Sequence, residues 1–477
     1  MSLNTPDLVS LGSINRDGSK RTLHPADVTG RFTLARRLFA ALLIGVYVAL
    51  PWIPVNGFPA VFLDVLHRRF HFFGLTLAVQ DLWVGFFLVT GLGFSLFFVT
   101  ALFGRVWCGW TCPYTVFLDH IYRRIERLVD GDATARRRLD AAPWNAQKIA
   151  RWALKHALYV LVSLLIAHVF LSYFVSLERL YDMMRHSPRG HLVSFGVMLF
   201  LTAGLYGAFS WFREQFCVIM CPYGRLQSAL SDDHTVHIGY DKKRGEPRGK
   251  PGTGGVGDCI NCTRCVQVCP TGIDIRNGLQ LECIGCAACV DACDAIMTKL
   301  GRIPGLIRYD SLVALTGGKT RFLRPRILFY TALLCVGLAA FAFAASRIEP
   351  MRANVLRMQG SPYYVSNGVL RNQFLVRLLN KRNEPRTFKL SLHGDLPPGI
   401  SAAGADAPVT LPAQGEELKP LMITMPEAGF KKAFMIGITI TDTKDGRTYQ
   451  TKAFEFAGPD PLLKSNENLD ARQFLQQ

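Results

Sequence analysis

Cys259-Ile-Asn-Cys262-Thr-Arg-Cys265-Val-Gln-Val-Cys269-Pro270 is followed, after a short spacer, by Cys283-Ile-Gly-Cys286-Ala-Ala-Cys289-Val-Asp-Ala-Cys293. Both runs have the C-x2-C-x2-C-x3-C spacing of bacterial ferredoxins. Three thiolates so spaced wrap one face of a four-iron cubane, and the fourth is carried away to the other cluster. Cys259, Cys262, Cys265 and Cys293 are therefore assigned to one [4Fe–4S] cluster, and Cys283, Cys286, Cys289 and Cys269 to the other. Structural zinc uses the same CxxC units, but it does not account for the doubled run. The second run ends in Cys293-Asp294, where the pattern has proline, and negative charge at a ligand is expected to lower that cluster's potential.

Working outward, two further pairs share one motif. Cys108-Gly-Trp-Thr-Cys112-Pro113-Tyr114 and Cys217-Val-Ile-Met-Cys221-Pro222-Tyr223 each follow an apolar run, an internal duplication of a two-span unit. On a continuous helix, i, i+4 spacing places both thiols of a pair on one face. The proline restrains the second cysteine and tends to break the helix there. Facing each other, the pairs make a four-thiolate site, and soft thiolates favour Cu(I), zinc or an Fe–S cluster. Spacing alone does not choose among them. Met220 is a neighbouring soft atom whose ordinary use is packing. Cys335, inside an apolar run, is the thirteenth cysteine and has no partner nearby in sequence.

The chain of 477 residues is 49% hydrophobic and carries a formal charge of +18. That charge gathers beside apolar runs, as the positive-inside bias predicts, and no nucleic-acid-binding module accompanies it. Runs of spanning length lie at about 38–54, 82–103, 152–174, 192–212 and 327–345. Arg31, Arg36 and Arg37 precede the first run, Arg123, Arg124, Arg127, Arg136, Arg137 and Arg138 follow the second, and Lys242, Lys243, Arg244, Arg248 and Lys250 follow the fourth. Five spans put all three groups on one side, the cytoplasm. No cleavable signal peptide is read in the first thirty residues. His156 and His168 sit toward the ends of the third run, where an interfacial role is expected. The chain has no C-x-x-C-H haem motif, and Gly318-Lys319-Thr320 lacks the rest of a phosphate-binding loop.

The tail reads as a small antiparallel sandwich. Phe388–Leu392 and Phe434–Thr441 alternate apolar and polar residues, Lys444-Asp445-Gly446 before Thr448–Phe456 is a hairpin signal, and Pro397-Pro398-Gly399 is a turn. The domain expectations are a cytoplasmic tail at 1–37 and a four-helix membrane region at 38–212, with a cytoplasmic loop at 104–151. A cytoplasmic segment at 213–324 then holds the ferredoxin domain at about 250–300, followed by a fifth helix at 325–345 and a periplasmic β domain at 346–477.

The stretches Arg105-Val-Trp-Cys-Gly-Trp-Thr-Cys-Pro, Arg213-Glu-Gln-Phe-Cys, Tyr240-Asp-Lys-Lys-Arg-Gly-Glu-Pro-Arg-Gly, Cys269-Pro-Thr-Gly-Ile-Asp-Ile-Arg-Asn-Gly-Leu-Gln and Leu323-Arg-Pro-Arg carry a resemblance. The chain resembles the CcoG/FixG/RdxA accessory proteins of cbb3-type cytochrome c oxidase over nearly its whole length. Tyr114 departs from the glutamine common in that family. The resemblance implies an inner-membrane cupric reductase with an immunoglobulin-like C-terminal domain. Such a protein takes electrons from a cytoplasmic donor and supplies Cu(I) to the oxidase assembly machinery. It also implies that Cys108, Cys112, Cys217 and Cys221 form the copper site. The competing expectations are a quinol dehydrogenase-type membrane polyferredoxin and a non-enzymatic metal chaperone or assembly scaffold.

Overall fold

The structure, a computed structural model, describes residues 22–459 apart from 67, 79–80, 252–254 and 406. The expectations for residues 1–21 and 460–477, including that of no signal peptide, lie outside the described residues. Two compact units divide at Ala345/Ser346.

Five helices of the first unit are long and apolar enough to cross a membrane: Arg31–Trp52, Leu82–Phe103, Ala146–Leu171, Pro188–Phe212 and Pro325–Ser346. These five spans mark a membrane protein. The first helix starts at Arg31, so Arg31, Arg36 and Arg37 lie within its opening turns instead of preceding it, and the tail expected at 1–37 is shorter. Hydropathy marked these residues as outside because of their charge. Protein partners offset that charge: the Arg36 Nε donates to the Gly109 carbonyl at 2.9 Å, and its guanidinium meets Asp119 at 3.0 Å. The third helix likewise starts earlier than the apolar run, at Ala146, capped by the Asn145 side chain. The second and fifth spans meet where a Cβ on Gly337 would lie 3.4 Å from the Gly91 Cα, a small-residue contact typical of membrane helix pairs.

The cysteine-rich segment is bracketed by the antiparallel strands His237–Tyr240 and Ile307–Asp310. Its two runs fold alike. Asn261 and Thr263 flank Cys262 with φ of 56° and 55°, and Gly285 and Ala287 flank Cys286 with φ of 68° and 61°. Left-handed residues are costly away from glycine. Repeated at the same two places, they curl the chain into the kind of concavity whose N–H groups receive Fe–S clusters.

The second unit packs two antiparallel five-stranded sheets, as its alternating segments implied. One sheet runs Ser401–Ala403, Glu416–Pro426, Val369–Asn380, Met351–Arg357, and the other Val409–Leu411, Arg386–His393, Phe434–Asp442, Thr448–Gln450. Short strands Tyr364–Ser366 and Phe454–Phe456 complete them. The core is built on Phe374, Phe388 and Phe456, each at most 1% exposed. The hairpin at Gly446 forms, but Thr448–Phe456 is two strands, because Thr451 turns inward to bond Ile438 and frees the chain to pair further along.

Candidate functional site

Eight cysteines of the ferredoxin segment line two pockets. Cys259, Cys262, Cys265 and Cys293 line one of about 370 Å³, beneath Tyr240, Ile307 and Arg276. Cys269, Cys283, Cys286 and Cys289 line another of about 330 Å³, with Cys265 also at its wall. In each set the fourth cysteine comes from the other run. The N–H groups of Gly285 and Ala288 donate to Cys283 and Cys286, as N–H···S bonds do around clusters. Burial pushes the Cys265, Cys283 and Cys293 thiols up to about 12, so protons compete with a metal for them. Four thiols set around each pocket suit a multi-iron group, and the donor set fits it. Asp294, which replaces the proline of the pattern, accepts the Gly305 N–H at 2.7 Å beside Cys293.

The duplicated pairs do not lie on continuous helices. Cys108 lies in the short helix Val106–Trp110, and Cys112 is the extended residue before Pro113–Phe117. Cys217 lies in the wide turn Phe216–Met220, and Cys221 is the extended residue before Pro222–Leu230. Proline forces this break in both copies. The copies also bend alike four residues before the first cysteine: Gly104 has φ 54°, ψ −128° and Arg213 φ 52°, ψ −131°. Each tyrosine reaches into the opposite copy. The Tyr114 hydroxyl donates to the carbonyls of Ala208 and Arg213 at 2.8 and 2.7 Å, and the Tyr223 hydroxyl bonds the Thr100 hydroxyl at 2.6 Å.

Burial pushes the Cys108 thiol up, Arg105 beside it draws it back, and Cys112 and Cys221 add to the rise. Burial, with Cys112, Cys108 and Cys221 adding, pushes Cys217 up to about 12. Arg105 is the cation that acts on both Cys108 and Cys217. Met220 is exposed, and Cys335 is exposed on the fifth span. His156 bonds the Tyr206 hydroxyl and His168 the Leu164 carbonyl, both packing roles.

The pairs abut the second cavity. Cys108, Ile284, Cys286 and Ala288 share one apolar cluster. A Cβ on Gly109 would lie 2.5 Å from the Ile284 carbonyl oxygen and 2.9 Å from the Cys286 nitrogen. Arg105 donates to the Leu281 carbonyl, and Trp110 reaches Tyr309, whose hydroxyl bonds the Gly285 carbonyl. The sequence alone assigns Arg105 and Gly109 no role of their own. A cation three residues before a thiol pair was the available signal for Arg105.

Residues 212–312 match a family model described as a 4Fe-4S dicluster domain, residues 82–130 a 4Fe-4S binding domain, and residues 341–459 the IG-like fold at the C-terminus of FixG. The "Nitrogen fixation protein FixG" of Rhizobium meliloti is 36% identical over 87% of this chain and 88% of its own length. "Protein RdxA" of Cereibacter sphaeroides is 36% identical over 85% of this chain and 89% of its own length. The chain belongs to the FixG/RdxA family. A FixG-related protein from Vibrio parahaemolyticus, solved by crystallography, is 16% identical and aligns all of its length with 24% of this chain, at a TM-score of 0.22. With its five spans and two matched 4Fe-4S domains, this FixG-family chain is a membrane iron–sulfur electron-transfer protein.

Proposed function

We propose that this protein is a cupric reductase that passes single electrons from a donor on the ferredoxin side to Cu(II), releasing Cu(I) for assembly of a cbb3-type cytochrome c oxidase. The observation that carries it is the contact of Gly109 with the Cys286 backbone, which sets the Cys108/Cys112/Cys217/Cys221 group directly against the second four-cysteine cavity. Cys259, Cys262, Cys265 and Cys293 hold one cluster, and Cys269, Cys283, Cys286 and Cys289 the other. When bound, these clusters supply one-electron carriers. The paired thiols hold the copper substrate, and soft sulfur favours Cu(I) over Cu(II), so each electron gained converts one Cu(II) to a better-held product. Arg105 offsets the negative charge of the thiolates. Burial raises the Cys108 and Cys217 thiols, so protons compete with the metal for them. We propose, on the basic segments beside the spans, a bacterial inner-membrane protein with the ferredoxin domain in the cytoplasm and the C-terminal domain, from about residue 346, in the periplasm.

A second reading has one specific observation in its favour: the 4Fe-4S binding domain matched at 82–130 includes Cys108 and Cys112. On that reading the four thiols hold a third cluster. The Cys108→Ser/Cys112→Ser variant separates the two. Loss of Cu(II) reduction and Cu(I) binding at unchanged iron supports copper, and loss of about four irons supports the third cluster. Full cupric reductase activity in the variant rejects the copper role of these residues.

A further inference from the structure

A pocket of about 690 Å³ opens between the first turns of the first span, the helical segment after the second span and the ferredoxin segment. Arg36, Arg37, Arg123, Arg124, Arg127 and Arg136 line it, against only two carboxylates, Asp27 and Asp119. Six guanidinium groups and two carboxylates leave a formal +4. Two further carboxylates bind these arginines from outside the lining, Glu214 meeting Arg123 at 3.2 Å and Glu126 meeting Arg136 at 3.1 Å. Counting them still leaves +2. Asp119 is shared by Arg36 and Arg123 at 3.0 and 2.6 Å, and Asp27 takes Arg127 at 2.6 Å.

Arg37 and Arg124 have no carboxylate partner among the described residues. Three buried Nε groups at this wall, those of Arg37, Arg123 and Arg136, have no hydrogen-bond acceptor. Arg123 is 9% exposed and Arg136 4%. Buried donors without acceptors are costly, and arginine more than other cations is matched by an oxyanion. The surroundings register the same excess. Burial first, then Arg36, Arg124 and Arg37, hold His120 down to about 4 despite Asp119. Burial and then Arg37 lower Arg124.

We propose that this pocket is a binding site for a phosphate ester, with Arg37 and Arg124 as its free guanidinium forks. A phosphodiester or phosphomonoester brings one or two negative charges and the acceptor oxygens that the lining lacks. Basic pockets between membrane helices receive acidic lipid headgroups in this way, and a soluble phosphate compound carries the same group. The site also touches the ferredoxin segment. Val268, Pro270 and Ala288 complete its wall, and the Arg123 Nη2 donates to the Pro270 carbonyl at 2.9 Å, next to Cys269.

The test uses the full-length protein, delipidated in detergent, and its Arg37→Gln/Arg124→Gln variant. Among the described residues neither side chain forms an ion pair, so the variant is expected to keep the iron content of the wild type and an unliganded melting point no lower than the wild type's. Phosphatidylglycerol, cardiolipin, phosphatidylcholine and inorganic pyrophosphate are titrated, with binding read by native mass spectrometry and by the melting point. Wild-type protein is expected to bind at least one anionic probe with an affinity about tenfold or more above that of the variant, and to ignore phosphatidylcholine. Response to the acidic lipids alone assigns a headgroup, and equal response to pyrophosphate assigns a soluble phosphate ester. Equal binding by the variant, or no response to any anionic probe, overturns the proposal.

Discussion

The α-carbon of Gly109 lies so close to the backbone of Cys286 that a methyl group on it would stand 2.9 Å from the Cys286 nitrogen. Backbone atoms on both sides leave nothing flexible to yield. Gly109→Ala must therefore push the Cys286 loop away from the paired thiols, an overpacking that costs about 1–3 kcal/mol. A lower melting point and slower Cu(II) reduction are expected, with Cu(I) binding by the thiol group unchanged. Wild-type turnover in this variant would show that the contact does not serve electron delivery.

The crossed cysteine sets predict which variants share a phenotype. Cys262→Ser and Cys293→Ser, one from each run, are expected to lose the same cluster, about four of eight irons, with matching paramagnetic spectra. Cys269→Ser is expected to match Cys283→Ser. If Cys293→Ser matches Cys283→Ser instead, the runs are not crossed.

Arg213 holds a left-handed backbone while its guanidinium meets the buried Glu126. Burial alone would raise the Glu126 carboxyl, but Arg213, the Tyr159 hydroxyl, Arg123 and Arg136 bring it down to about 2. Arg213→Gly relieves strain of about 1–3 kcal/mol but breaks a buried ion pair worth about 3–5 kcal/mol. The variant is thus expected to be less stable by about 2 kcal/mol. A rise in melting point would mean that strain outweighs the ion pair.

The orientation predicts that reporter fusions after Gly318 and after Ala345 report opposite sides of the membrane, cytoplasm and periplasm in that order. The same side for both would remove the fifth span as a crossing.

In the sandwich, Phe374 is 1% exposed and packs edge-on against Phe454 at 4.7 Å between ring centres. Phe374→Ala is expected to cost about 3–5 kcal/mol, read as a drop in the unfolding midpoint of the second unit. A change under about 1 kcal/mol would place Phe374 outside the effective core.

What could be read in advance was set by short-range chemistry. Cysteine spacing is local, so the 4Fe-4S dicluster domain was legible, as were the apolar runs. The longest strand, Val369–Asn380, was not read, because its inward face carries Asn372 and Asn380 and its outward face Leu375 and Leu379. Those asparagines are buried because they bond backbone: Asn372 the Ala457 carbonyl and N–H, Asn380 the Glu384 and Pro412 carbonyls. The arginine pocket was invisible for a related reason. Arg36 and Arg37 looked like topological charge at a span's edge, and only the fold brings them to Arg123, Arg124 and Arg136. Proline was seen as a helix breaker, yet the kinks at Gly104 and Arg213 were not, since arginine gives no sign of a positive φ.

Duplication ordinarily leaves a spare copy that is free to diverge. Here the Tyr114 hydroxyl holds the carbonyls at the bend before Cys217, and the Tyr223 hydroxyl holds Thr100 in the helix that leads to Cys108. Each repeat therefore lends the other a contact, and a change at either tyrosine is expected to reach both pairs.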